Sequence, residues 1–367
     1  MDFCEKLVES IDYTGYVSDV IHKLQSTNNK IYIFGAGDRA QWLGKFLTAQ
    51  GIEFEGYLVN EKYYNVSYKA NMYGGNKSIF IFENTNLKGC NLLLGIPQSK
   101  LHIEMFNDRG IAEVITINIG NRNDYIFKKE TLIEHAEAIN YLYNNLADEL
   151  SKDCLNYCLR GRLTGEDYEF KPSNWTDPEY FFDEFIEWEN CKCIVDCGAY
   201  IGDSVQEFKR KKPQNISDEY KIYAFEPDKD NYLELKKAYI DDERIIPFNA
   251  AVYSYNGKIG FSNDSGEMSA IDISGEGDIE CRSIDSVLGN QRVDFIKMDV
   301  EGSELAALKG ASNHIKNDVP ILAICIYHKQ EDFWTIPQFI KSLNNKYRLF
   351  IRPHSSMPTE LVLFAVQ

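Results

Sequence analysis

Of the 367 residues in this chain, residues 194–204 constrain the fold most: Ile-Val-Asp-Cys-Gly-Ala-Tyr-Ile-Gly-Asp-Ser, answered at residues 223–228 by Tyr-Ala-Phe-Glu-Pro-Asp. Ile194 and Val195 read as the end of a buried strand, Gly198 and Gly202 bracket a tight loop, and Ser204 opens a helix. Glycines in such a loop let the backbone approach a ligand closely. A carboxylate ending the next strand, here Glu226, is placed to accept hydrogen bonds from ribose hydroxyls. The spacing Gly-x-x-x-Gly, with Asp196 ahead of it, differs from the Gly-x-Gly-x-x-Gly that cradles a pyrophosphate. It suits a ligand without a phosphate, such as S-adenosylmethionine.

A fold built on this unit should alternate strands and helices, and the residues beyond 190 do. Strands are expected at 194–197, 222–226, 245–249, 293–299, 320–327, 347–351 and 361–366. Helices are expected at 203–212, 228–239, 303–310 and 332–344, with an inserted hairpin of 252–262 and 277–284 that carries the loop 265–270. The pattern predicts an α/β fold with a doubly wound sheet of seven strands, the last antiparallel.

Ahead of it, residues 1–29 read as helical, 30–34 and 54–59 as strands around a helix at 41–50, and 92–96 and 114–119 as strands around a helix at 99–107. This smaller α/β domain opens with Gly35-Ala-Gly-Asp-Arg-Ala40, a Rossmann-like Gly-x-Gly-x-x-Ala. Its second strand runs into Asn60 and not into the acid of an NAD ribose site. The turn therefore reads either as a structural relic or as the holder of a nucleotide or sugar-nucleotide at Gly35–Gly37. Between the domains, Leu132, Ile133, Ala136, Ile139, Tyr143, Leu146 and Leu150 recur at helical spacing. Residues 161–178 read as a turn-rich linker, and 179–188 as an acidic, aromatic helix that packs in the core or covers the substrate mouth. The expected organisation is a Rossmann-like domain at 1–120, a helical connector at 121–185 and the larger α/β domain at 186–367.

A net charge of −17 argues against a nucleic-acid partner, which needs clustered Lys and Arg. The basic run at 209–212 reads as a solvated helix end facing its own dipole. No run approaches the ~20 apolar residues of a membrane span, and the N-terminus lacks a signal-peptide profile. Nine cysteines, an odd number, fit reduced thiols, so a cytoplasmic protein is expected. Neither Cys154/Cys158 nor Cys191/Cys193 has Cys-x-x-Cys spacing, and no zinc site is expected.

In an open α/β sheet the ligand lies outside the carboxyl ends of the strands. Asp196 and the 198–202 loop, Glu226, Asn249, Asp299, Glu301 and His328 should then ring one crevice. Each has a plainer role available. Glu226-Pro-Asp also begins a helix, Asp299 and Glu301 can cap one, and His328 can be a loop residue beside Lys329. A neutral imidazole after an apolar strand can also take a proton from a hydroxyl.

Lys297-Met-Asp-Val-Glu-Gly-Ser-Glu304 joins 195–204, Phe225-Glu-Pro-Asp228, Asn249-Ala-Ala-Val252, Ser283-Ile-Asp285 and Ile326-Tyr-His-Lys329 in a series of ordered blocks. Over roughly residues 175–367 this series resembles the FkbM family of S-adenosylmethionine-dependent methyltransferases. The resemblance implies a class I methyltransferase fold and O-methylation of a sugar, sugar-nucleotide or glycan-like acceptor in polysaccharide biosynthesis. It implies cofactor contacts from Asp196, Gly198, Ala199, Tyr200, Gly202, Ser204, Glu226, Pro227 and, near the adenine, Asn249. In Tyr200 this chain carries an aromatic where many relatives have a small polar residue. His328 or Asp299 is the expected base, with Glu301 supporting or replacing it. No metal ligand is assigned, and Mg²⁺ held by Asp299 and Glu301 is the alternative not favoured. The rival readings are a sugar-nucleotide oxidoreductase or epimerase using the Gly35–Gly37 turn, and a non-catalytic glycan-binding scaffold. None of these features encodes an oligomeric state.

Overall fold

Short β-branched and aromatic runs set between helices build two separate, largely parallel sheets, and an insertion adds a smaller one. The computed structural model describes residues 1–11, 16–64, 77–96, 105–106, 108–117, 129–164, 180–262, 270–272, 279–353 and 361–367. The chain divides into two units. One comprises Met1–Glu134, Asn156–Lys171 and Met357–Thr359; the other comprises His135–Leu155, Pro172–Ser356 and Glu360–Gln367.

In the first unit, β1 (Ile31–Phe34), β2 (Gly56–Val59), β3 (Ser78–Ile81), β4 (Asn91–Leu94) and β5 (Glu113–Ile115) pair in parallel in the order β3-β2-β1-β4-β5. β1, β2 and β4 are buried at every position, which is why they read as unbroken apolar runs. β3 is an addition to the expected strands. The helical start is two helices, Phe3–Ser10 and Tyr16–Ser26, the first opened by an Asp2/Glu5 capping box. The helix expected at 99–107 lies outside the described residues except for turns at 105–106.

In the second unit β6 (Cys193–Cys197), β7 (Lys221–Phe225) and β8 (Ile245–Phe248) come first. The insertion follows as β9 (Ala251–Val252), β10 (Gly257–Ser262), β11 (Ala270–Asp272) and β12 (Ile279–Arg282). β13 (Phe295–Met298), β14 (Ile321–Cys325), β15 (Arg348–Pro353) and β16 (Leu361–Val366) complete the main sheet, in the order β15-β16-β14-β13-β6-β7-β8. β16 is antiparallel to both neighbours and the other pairs are parallel, as the seven-strand expectation had it. From β6 the sheet grows toward β7 and β8, and from β13 toward β14. The reversal therefore falls between β6 and β13, where a ligand crevice belongs.

Two expectations need correction, and a third gains detail. The inserted hairpin is a sheet of its own, β11-β10-β12-β9, because β9 pairs with β12 in parallel. The helical connector is three helices, Lys129–Glu134, Ala136–Asn145 and Glu149–Thr164. Its breaks free His135 to stack on Trp334 at 4.1 Å, Leu146 to bridge to Leu349, and Asp148 to pair with the buried Arg352 at 2.7 Å. Residues 180–187 are turns and not a helix, and the short 3₁₀ turn Trp188–Asn190 follows them. The amide of Tyr180 donates to Glu207 at 2.7 Å, and Phe181 packs between Phe295 (4.9 Å) and Phe208 (5.3 Å), so the aromatic residues serve the core.

All nine cysteines are buried, and burial pushes the Cys4 and Cys193 thiols up to about 12. Among the described residues no helix is long and apolar enough to cross a membrane.

Candidate active site

After β6 the backbone turns through three residues with positive φ, Gly198 (+79°), Tyr200 (+47°) and Gly202 (+97°), before the helix Asp203–Lys211. Neither glycine tolerates a side chain. A Cβ at Gly198 would lie 1.8 Å from the carbonyl oxygen of Asp299, and one at Gly202 would lie 2.5 Å from the Tyr239 ring. The amides of Gly198 and Ala199 donate to the Phe225 carbonyl at 3.0 and 2.9 Å, tying the loop to the end of β7.

Beneath the loop, Asp196 is only 2% exposed. It accepts from Ser204 Oγ at 2.5 Å and pairs with Lys297 Nζ at 3.2 Å, while Lys297 donates to the Gly198 carbonyl at 2.7 Å. Burial opposes the charge on Lys297, but Asp196 and Asp299 outweigh it and hold the ammonium above its usual range. Asp196 and Ser204 thus brace the loop from inside.

Glu226, 6% exposed, accepts from the Tyr200 amide through Oε2 at 2.9 Å and from the Asp228 amide through Oε1 at 2.8 Å. Burial raises its pKa and these two amides oppose the rise. Asn249 Nδ2 donates to the carbonyls of Glu226 and Pro227, each at 3.0 Å, and so fixes the backbone beneath the carboxylate. The arrangement fits an adenosyl cofactor. Each Glu226 oxygen keeps a further lone pair for a ribose hydroxyl, the loop carries no Lys or Arg to attract a phosphate, and Tyr200, 52% exposed, forms the rim.

On the other side of the reversal, Asp299, Val300, Glu301 (φ +55°) and Gly302 (φ +90°) turn β13 into the helix Glu304–Lys309. His328, just past β14, is 5% exposed. Its Nδ1 lies 2.7 Å from Glu304 Oε1, and its Nε2 lies 3.4 Å from Asp299 Oδ1 and 3.5 Å from Glu301 Oε2. Glu304, itself 0% exposed, also receives the amides of Val300 (3.0 Å) and Gly302 (3.4 Å) on Oε1. Asp299 Oδ2 accepts from the Tyr180 hydroxyl at 2.9 Å.

Burial disfavours the imidazolium, but Glu304, Asp299 and Glu301 overcome it and push the His328 pKa up to about 9. The imidazole is therefore charged at neutral pH and becomes a base only on losing that proton. Asp299, Glu304 and His328 bring one possible metal-ligating atom each within 4.8 Å of one another. Glu304 sits on Nδ1, while Asp299 and Glu301 face Nε2.

The expected residues thus fall into three groups. Gly198, Ala199, Tyr200, Gly202, Glu226, Pro227 and Asn249 follow the ends of β6 to β8, Asp196 and Ser204 support them from below, and Asp299, Glu301 and His328 meet at β13 and β14. Lys297, Glu304 and Tyr180 were not singled out as functional residues. A lysine inside the apolar strand Phe-Ile-Lys-Met was the available signal for the first. Glu304 and Tyr180 gave none, because their partners come from other elements.

In the N-terminal unit, Gly35 has φ +111°, and a Cβ there would meet Ile96 at 2.8 Å and the Gly95 carbonyl at 2.9 Å. A Cβ at Gly95 would in turn meet that of Ala40 at 2.5 Å, so two positions of the Gly-x-Gly-x-x-Ala string are required by packing. Gly37 faces open space, and Asn60 donates to Glu83 at 3.0 Å.

Residues 196–351 match the family model described as "Methyltransferase FkbM domain". The whole chain is similar in fold to the crystal structure of methyltransferase FkbM from Methylobacillus flagellatus KT, with a TM-score of 0.72, 21% identity, and coverage of 99% of this chain and 96% of that one. Weaker likenesses cover 49% of this chain. Fibrillarin from Aeropyrum pernix, in complex with natively bound S-adenosyl-L-methionine, is 11% identical over 69% of its own chain with a TM-score of 0.32. An rRNA methylase from Streptococcus thermophilus is 12% identical over 92% of its chain, also with a TM-score of 0.32. No curated protein matches the sequence.

Proposed function

We propose that the chain is an S-adenosylmethionine-dependent methyltransferase that methylates a hydroxyl of a sugar, sugar-nucleotide or glycan-like acceptor, a reading supported by the match of residues 196–351 to the FkbM methyltransferase family model. The observation that carries this reading is the contact between Gly198 and the Asp299 carbonyl. It sets the cofactor-side loop directly beside the cluster of Asp299, Glu301 and His328. When bound, S-adenosylmethionine supplies a methyl on a sulfonium, and the C–S bonding pair leaves with the thioether. Glu226 would accept the ribose hydroxyls, Asn249 holds the backbone of Glu226 and Pro227 on the side where the adenine would lie, and Tyr200 and Ile201 would border the cofactor at the rim. Alignment of the nucleophile meets most of the barrier, and a base adds about 10²–10⁴-fold. Neutral His328 takes the hydroxyl proton on Nε2, with Asp299 and Glu301 stabilising the imidazolium that results.

A hydroxyl-bearing acceptor suits the carboxylates of Asp299 and Glu301 that face His328 beside the loop. The nine buried thiols fit a reducing compartment such as the cytoplasm.

Calorimetric titration with S-adenosylmethionine and with NAD is the first test, followed by a screen of sugar-nucleotides and glycans for S-adenosylhomocysteine release. Binding of NAD alone removes this reading. Near wild-type turnover in both His328→Ala and Asp299→Asn removes the base assignment. Chelation is expected to leave turnover intact, and a loss restored by Mg²⁺ would favour the metal alternative.

A further inference from the structure

We propose that Glu304 is the positioning residue of this site, holding His328 as the tautomer with its proton on Nδ1 so that Nε2 faces Asp299, Glu301 and the acceptor hydroxyl. The inference rests on the methyl transfer to a hydroxyl proposed above, and it is carried by a single oxygen. Glu304 Oε1 lies 2.7 Å from His328 Nδ1, 3.0 Å from the Val300 amide and 3.4 Å from the Gly302 amide. Backbone amides can only donate, so Oε1 is an acceptor, and the third atom against it must carry the hydrogen. With the proton on Nε2 instead, two lone pairs would face each other at 2.7 Å in a site where Glu304 has no exposure to water.

The Val300 and Gly302 bonds matter for a second reason, because the turn they fix also carries Asp299 and Glu301. One carboxylate therefore sets both the imidazole and the two acids that face its other nitrogen. The division of labour is that of a triad, in which an orienting acid acts through the imidazole and never meets substrate. In the transfer, the hydroxyl proton passes to Nε2 as the hydroxyl oxygen bonds the methyl, and the imidazolium ends between Glu304 and Asp299.

Among the described residues, the charged and titratable groups around His328 are Glu304 on Nδ1, Asp299 and Glu301 on Nε2, and Asp332 from the following helix. The Tyr327 ring lies 4.2 Å from the imidazole, and Lys297 and Tyr180 stand behind Asp299.

The test is long-range proton–nitrogen NMR on the full ¹⁵N-labelled chain, with His328 identified among six histidines by its loss in His328→Gln. Above pH 9.5 the wild-type ring is expected to show its proton on Nδ1. In Glu304→Gln the His328 midpoint should fall by about 1–3 units, and the neutral ring should become a mixture of tautomers. With an acceptor from the screen, turnover compared above pH 9.5, where the ring is neutral in wild type and variant alike, should drop by about 10²-fold or more in this variant. S-adenosylmethionine affinity, measured by calorimetry, should stay at the wild-type value. A proton on Nε2 in the wild-type chain overturns the proposal, and this reading needs no variant to fold. An unchanged midpoint and tautomer in folded Glu304→Gln overturns it as well. If the variant shifts as expected while His328→Gln keeps wild-type turnover, Glu304's hold on His328 stands and the base assignment fails.

Discussion

His328 gives activity and stability opposite responses to pH. As the base it must be neutral, so kcat/KM should climb as pH rises through about 9 and fall roughly tenfold per unit below. Stability runs the other way. The folded pKa lies above the unfolded value near 6.5, so the ion pairs of His328 stabilise fully below about pH 6.5, and that contribution is lost as pH rises through about 9. Melting temperatures measured from pH 6 to 9.5 should show this decline in the wild type and a flatter course in His328→Gln. Asp332, pushed up to about 7 by burial and then by Glu304, titrates in the lower part of this range. Glu226→Gln tests the opposite wall of the site. Losing a charged acceptor for the ribose should weaken S-adenosylmethionine binding by about 1.5–3 kcal/mol in calorimetry.

The elements that meet at the reversal are fastened by Lys297, whose ammonium reaches from β13 to the end of β6. Lys297→Met should cost about 3–5 kcal/mol in denaturant melts, because it strands Asp196 without its charge partner, and Lys297→Met with Asp196→Leu should recover part of the loss. Much of this architecture was legible in the chain. β6, β13 and β14 are buried runs whose apolar pattern is local, and Glu226 follows its strand at once. β3 was not legible, since only Ile79 of its four residues is fully buried and its pairing with β2 is a long-range event. The turns at 180–187 were misread as a helix because their aromatic residues answer to Glu207, Phe208 and Phe295, all distant in sequence. The same limit hid the roles of Lys297 and Glu304. Lys297 reaches a carbonyl 99 residues away, and Glu304 a histidine 24 residues away, and no periodicity encodes such meetings.

At the scale of the molecule the methyltransferase match lies within one of two units, and each has its own parallel sheet. Cofactor binding should respect that division. At about 100 times its Kd, S-adenosylmethionine should add ~2.7 kcal/mol of stability. Hydrogen exchange should slow at residues 198–204 and 226–228 and stay unchanged at 35–40. The burial of all nine thiols, spread over both units from Cys4 to Cys325, gives the chain a built-in clock for its own opening. A thiolate must reach solvent before an alkylating reagent can trap it, so each site should label at the rate at which its surroundings unlock. Mapping those rates by mass spectrometry, with and without S-adenosylmethionine, should show Cys197, at the foot of the glycine loop, slowed far more than Cys90 in the N-terminal sheet.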